Sequence, residues 1–401
     1  MTVLRVPGDA MQDPRFAAMD EIVRGGLGTG PEALYPGAVL LVAQGGEVVH
    51  AAAFGDAQYL KLDERGAVET LSPPRPMTVQ TIFDVASMTK VMATTAAIMW
   101  LVDAGRLGLD NRLGDLLPEF ANGEKAAINV AQLLAHRGGL WEWQPAWRHL
   151  DAGGSALGWL AELPLRYPVG ERFAYSDLGF MLLGEIITRV SGLPLDEYVR
   201  RELYEPLGMA DTGFRPDPAL QQRMAATSQG DLYQRHMAET GHPWPIVRDP
   251  PLRPFADYRT DFLLGEANDL NAWAGWGGVA GHAGLFSTAL DVARFAQLML
   301  NGGGYGGQQL LSPQVVARFL DTPWDPSQAL GFRKLQQGGV AFYGHPGFTG
   351  TTFNFAPELG LTIVFLTNRV HRAETEATPY PALDAVREAL LVQAVAATGP
   401  A

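Results

Sequence analysis

The chain has 401 residues, 47% hydrophobic and 18% charged, with 43 acidic side chains against 30 basic ones and a net charge of −13. This is globular composition without room for extensive disorder, and at about 150 residues per domain the length suits two lobes. The negative charge argues against nucleic acid or an anionic membrane as partner, and the absence of cysteine excludes disulfides, thiolate-held metal and a thiol nucleophile.

At the N-terminus Arg5, Asp9, Asp13, Arg15, Asp20, Glu21 and Arg24 leave no apolar segment between them, so no secretory signal is expected and a cytoplasmic location is. Gly37 to Phe54 reads as a hairpin, two apolar runs of strand length split by Gly45 and Gly46. The apolar run Val91 to Val102 lies between Lys90 and Asp103 and falls far short of the roughly 20 residues of a membrane span; it is a core helix. Apolar spacing near 3.6 predicts helices at 87–104, 129–135, 176–190 and 195–203. From Leu220 to Leu285 the pattern gives way to Gly, Pro and Trp, a loop long enough to suggest a function. Three β-rich runs follow at 340–344, 351–356 and 361–368, then a helix over Tyr380 to Ala397. Strands at both ends imply a discontinuous sheet domain, 1–85 with 285–401, and a mainly helical lobe at 86–284.

Several catalytic signatures are missing: there is no G-x-S-x-G, no H-E-x-x-H and no Gly-Lys pair to end a phosphate loop. Gly302, Gly304 and Gly307 match G-x-G-x-x-G but follow a helical segment, and are read as a turn. Ser87-Met88-Thr89-Lys90 is different. At i and i+3 the hydroxyl and amine share a helix face, where the amine can take the serine proton. The chain uses only four lysines against 26 arginines, yet has lysine where a proton must be lost, which arginine cannot do. A plain N-cap at Ser87 with a solvated Lys90 is the competing reading. Tyr175-Ser176-Asp177 precedes an amphipathic helix that either Ser176 or Asp177 could cap, and His345-Pro346-Gly347 could be an ordinary turn between strands.

Taken in order, S-x-x-K, Tyr-Ser-Asp some 85 residues later and His-x-Gly on a late strand resemble the penicillin-recognising serine hydrolases: class C β-lactamases, DD-peptidases and related carboxylesterases. FDVASMTKVMATTAAIMWLVDAGRLGLDNRLGDLLPEF, FAYSDLGFMLLGEIITRVSG and GHPGFTGTTFNFAPELGLTIVFLTNR are similar to family blocks, and the likeness spans roughly residues 35 to 370. It implies an α/β plus all-α, β-lactamase-like architecture, an antiparallel sheet flanked by helices with an inserted helical lobe. It implies Ser87 as nucleophile, Lys90 as its deprotonating partner and Tyr175 as a second proton-transfer group, with Asp177, His345, Gly347 and Thr349 as substrate-binding or supporting residues. Asp177 stands where asparagine is usual and could hold Lys90 charged. His345 stands where lysine is usual; imidazole, with a reference pKa near 6.5, would gain charge only as pH falls toward 6.

The chemistry follows: Ser87 attacks an ester or amide carbonyl, Lys90 and Tyr175 shuttle the proton, and the backbone N–H groups of Ser87 and Phe348 form the oxyanion hole. No metal or organic cofactor is called for; His136 and His282, lacking paired spacing, are taken as loop supports. Trp141, Trp143, Trp147, Trp244, Trp273 and Trp276 either line an acyl pocket or pack the long loop. Asp177 and His345 favour small neutral esters or amides as substrates, with a β-lactamase, DD-peptidase or muropeptide amidase as the alternative and a non-catalytic scaffold as the outsider. Oligomeric state is left open.

Overall fold

A computed structural model describes residues 2–6, 13–373 and 380–398. Seven strands form its main sheet: β1 (Gly37–Gln44), β2 (Glu47–Leu62), β3 (Val68–Pro76), β4 (Arg333–Gln337), β5 (Val340–Pro346), β6 (Thr352–Ala356) and β7 (Leu361–Thr367). Their order is β3-β2-β1-β7-β6-β5-β4, antiparallel throughout. The two ends of the chain meet at its centre, where Val42 of β1 faces Ile363 of β7.

β1 is an unbroken apolar run because both faces of the sheet are covered. On one face Ala38, Leu40 and Val42 pack with Met19 and Val23 of the helix Ala17–Gly26 and with Leu390, Leu391 and Ala394 of the helix Asp384–Thr398. On the other, Val39, Leu41 and Ala43 join a larger core that includes Phe295 of the helix Ala289–Leu300. Each such buried Val, Leu, Met or Phe side chain contributes about 1.5–3 kcal/mol. The last helix begins at Asp384 rather than Tyr380: Pro381 disfavours helical backbone at the residue before it.

The segment from Ser87 is not one regular helix. A 3₁₀ turn, Ala86–Met88, leads into π-helical backbone over Lys90–Thr95 and only then into the α-helix Ala96–Asp103. The wider turn is held from outside, since Thr94 Oγ1 donates to Gly281 O at 2.6 Å and Lys90 Nζ to His282 O at 2.9 Å; such turns collect at functional sites. The helix Asp177–Ser191 starts at Ser176, whose side chain accepts from Gly179 N–H, and ends at Gly192 in left-handed backbone.

The Leu220–Leu285 stretch packs its Met237, Ala238 and Leu270 on Trp143 and Trp147 in a small separate core, and contains the helix Leu232–Thr240. Gly304–Tyr305 pairs with Gln308–Gln309 as a hairpin, so the glycine-rich match there is a turn. Among the described residues no single helix is long and apolar enough to cross a membrane, and no group of side chains is arranged to hold a metal ion.

Candidate active site

The short strand Phe83–Asp84 delivers the chain to Ser87 through a strained turn. Ala86 has φ +47°, a conformation that costs a non-glycine residue on the order of 1 kcal/mol or more. Asp84 holds it there, accepting from Ala86 N–H and Asn268 N–H, each at 2.7 Å. Its full burial pushes the Asp84 carboxyl up to about 6.

Lys90 is completely buried. Its Nζ lies 3.0 Å from Ser87 Oγ, 2.9 Å from His282 O and 2.7 Å from Asp177 Oδ1. The last contact lies off the hydrogen-bonding direction and is an ion pair. Burial works to neutralise Lys90, but the Asp177 and Tyr175 oxygens outweigh it and hold the ammonium above the ordinary lysine value. Nζ also sits 5.1 Å from the centre of the Tyr175 ring. Thus Ser87, Lys90, Tyr175 and Asp177, drawn from two helix starts, meet in one place.

The facing wall is the turn between β5 and β6. Gly347 N–H donates to Thr351 O at 2.7 Å, while Thr349 Oγ1 donates to Asp84 O at 2.7 Å and Thr351 Oγ1 to Val85 O at 3.0 Å. A Cβ on residue 347 would collide with Thr351 Oγ1 and Val85 O, so only glycine lets the turn seat against the Ser87 segment. Phe348 N–H, beside that segment, donates to no described group. Thr349 is 1% exposed with its hydroxyl committed. Of the two roles expected for it, substrate contact or support, the geometry is that of support: it ties the turn to Asp84.

The reading of His345 is corrected. Its ring is buried and Nδ1–H donates to Pro346 O at 2.7 Å. Burial, reinforced by the nearby Lys90 and Arg333 charges, holds it well below the ordinary histidine value, against the expected gain of charge on mild acidification. A fixed positive charge near the site is that of Arg333, a residue the sequence reading missed. Arg333 opens β4 opposite Gly344 of β5, is exposed, and lies 5.7 Å from the Tyr175 ring centre. It forms no ion pair with a described carboxylate. A signal existed: Gly338-Gly339 between RKLQQ and VAFYG is a two-residue hairpin turn, and its register places Arg333 beside the strand that carries His345.

The two histidines taken as loop supports touch the site directly. His136 Nδ1 accepts from Ser176 N–H at 3.0 Å and its ring lies 4.5 Å from that of Tyr175. His282 Nε2 pairs with Asp269 Oδ1 at 2.8 Å while its carbonyl holds Lys90.

A cavity of about 210 Å³ opens over Ser87, bounded by Tyr175, Asp177, Met237, Asp269 and Phe348. Of the six tryptophans only Trp143 and Trp244 reach it; Trp141 and Trp147 pack elsewhere. The long Gly/Pro/Trp segment therefore builds one wall of the cleft.

A family model described as Beta-lactamase matches residues 19–387. The chain belongs to the β-lactamase family. Over 389 residues it is 33% identical to the N-acetylmuramyl-L-alanine amidase of Bacillus subtilis strain 168, covering 89% of this chain and 81% of the relative. Over 364 residues it is 34% identical to a putative D-alanyl-D-alanine carboxypeptidase of Escherichia coli K12, covering 84% and 79%. Among solved structures, a penicillin-binding protein homologue from Caulobacter crescentus superposes with TM-score 0.69 at 24% identity, over 97% of this chain and 99% of that one. The protein is thus a β-lactamase-fold serine hydrolase with the antiparallel sheet and flanking helices of its family.

Proposed function

We propose that the protein hydrolyses an amide bond in small peptides or muropeptides bearing a free carboxylate, through an acyl-enzyme on Ser87. The carrying observation is Arg333: it places an exposed, permanent positive charge beside Tyr175, where buried neutral His345 offers none. That removes the main reason to prefer neutral esters, and the relatives named N-acetylmuramyl-L-alanine amidase and putative D-alanyl-D-alanine carboxypeptidase support the same reading.

In this reading Lys90 remains an ammonium that donates to Ser87 Oγ and lies against Tyr175, a positive charge that stabilises negative charge on either oxygen. The Ser87 proton leaves through Tyr175 and is delivered to the departing nitrogen. Ser87 and Phe348 N–H groups hold the tetrahedral oxyanion, and water then releases the acyl group. Asp177 fixes Lys90 in its charged form.

The test is release of D-alanine from D-alanyl-D-alanine peptides and of peptide from muramyl peptides, each compared with its C-terminal amide. Carboxylate peptides should be preferred at least tenfold in kcat/KM, and Arg333→Ala should collapse that ratio. Equal turnover of acid and amide, or fluorophosphonate labelling at a residue other than Ser87, overturns the proposal.

A further inference from the structure

The cavity over Ser87 has a chemical bias that acyl transfer does not demand. Among the described residues no lysine or arginine side chain lines it, whereas Asp177, Asn268 and Asp269 do. Asp269 is fixed by Ala272 N–H and His282 Nε2, both at 2.8 Å on Oδ1, and its side chain remains 20% exposed. Burial opposes its ionisation, but the His282 contact and the Ala272 N–H outweigh burial and hold the carboxyl below its usual range. Asn268 is 3% exposed, and its amide nitrogen donates to Thr227 Oγ1 at 3.3 Å and Ser228 Oγ at 2.6 Å. Only the Asn268 oxygen is left for a ligand.

Gln234, the other amide on this wall, is spent: Nε2 donates to Asn268 O and Oε1 accepts from Leu270 N–H, both at 2.8 Å. Around these acceptors stand the rings of Trp143, Tyr233 and Trp244. A charged carboxylate and an amide oxygen inside an aromatic wall repel anions, leave a neutral donor-poor ligand unmatched, and suit a cation, which aromatic faces also attract. Asp177 is already paired with the buried ammonium of Lys90, whereas the contacts of Asp269 with Ala272 and His282 both fall on Oδ1 and leave Oδ2 for a ligand.

We propose that this wall is a subsite for an ammonium group on the acyl side of the substrate, with Asp269 as its counter-ion and Asn268 Oδ1 as a second acceptor. The inference deepens the functional reading above and rests on it for the position of the acyl group. Together with Arg333 it makes the preferred substrate zwitterionic, an amine-bearing acyl group joined to a carboxylate-bearing leaving group.

Binding separates this inference from catalysis. Calorimetry on the Ser87→Ala protein with alaninamide and N-acetylalaninamide, in both enantiomers, should show at least tenfold tighter binding of the free amine. Asp269→Asn in that background should abolish the difference, and Trp244→Ala, at a 36% exposed rim position, should reduce it severalfold even if the Asp269 variant fails to fold. Equal affinity for the two ligands, binding of neither, or a preference that survives both substitutions overturns the subsite. Failure of fluorophosphonate to label wild-type Ser87 would instead overturn the hydrolase reading and leave the binding result standing.

Discussion

Lys90 Nζ and Asp177 Oδ1 stand 2.7 Å apart, the lysine fully buried and the carboxylate 17% exposed. Desolvation alone would drive a lysine in that position toward neutrality; the carboxylate, joined by the Tyr175 oxygen, reverses the sign. An aspartate at this position is therefore the largest influence that keeps Lys90 charged beside Ser87.

Replacing Asp177 with asparagine removes the largest contribution opposing burial and leaves only Tyr175 against it, so Lys90 should lose its proton at lower pH. If the charged form is the working one, the alkaline limb of kcat/KM moves down by at least one pH unit. A profile measured from pH 5 to 10 checks this; an unmoved limb would show that Lys90 charge is not what the limb reports. Stability should fall as well, because breaking a buried ion pair costs about 3 kcal/mol or more.

For Tyr175→Phe the expected outcome is a loss of 10²- to 10⁴-fold in kcat, the usual contribution of one positioned proton-transfer group. The ring keeps its packing against His136, so Tm should shift little. Steady-state kinetics and thermal melts on the same preparation check both halves, and unchanged kcat would leave Tyr175 with a structural role only.

Gly347→Ala should act through position rather than chemistry. The added methyl meets Val85 O and Thr351 Oγ1 and pushes the turn, with Phe348 N–H, away from Ser87. Loss of one oxyanion donor is worth roughly 10²- to 10³-fold in kcat. Acylation by p-nitrophenyl acetate in stopped flow checks it, and a wild-type acylation rate would show that Phe348 N–H is not in the oxyanion hole.

Acid should destabilise the fold through histidines that are buried neutral. His136 and His345 lie well below the ordinary value, and His371 is held down to about 3, each chiefly by burial. These are folded-state values below the unfolded one near 6.5. The stability they contribute is therefore present above pH 6.5 and is lost as pH falls toward the folded values, by up to about 1.4 kcal/mol per pH unit for each histidine. Denaturant melts at pH 7.5, 6.0 and 5.0 should show this decline, and His371→Gln should make it shallower. Constant stability over that range would contradict the assignment.

The sequence by itself determined the elements and the order of the motifs. The Gly45-Gly46 hairpin, the three late strands and the helices following Ser87 and Ser176 are local patterns, written in alternation, periodicity and caps. Ser87 and Lys90 are legible because i, i+3 spacing places them together whatever the rest of the chain does. Tertiary structure decided what each group faces. Thr349 and His345 sit in the right motif but point into packing, and only the docking of the 347–351 turn on Asp84 and Val85 shows it. Arg333 and Asp269 belong to no motif. Strand register brings Arg333 near Tyr175, and the folding of residues 220–285 onto an aromatic core shared with Trp143 and Trp147 brings Asp269 to the cavity wall, contacts between residues far apart in sequence that no local period encodes. The π-helical turn at Lys90 is likewise invisible in the apolar spacing, because Gly281 and His282, some 190 positions away, supply the carbonyls that hold it.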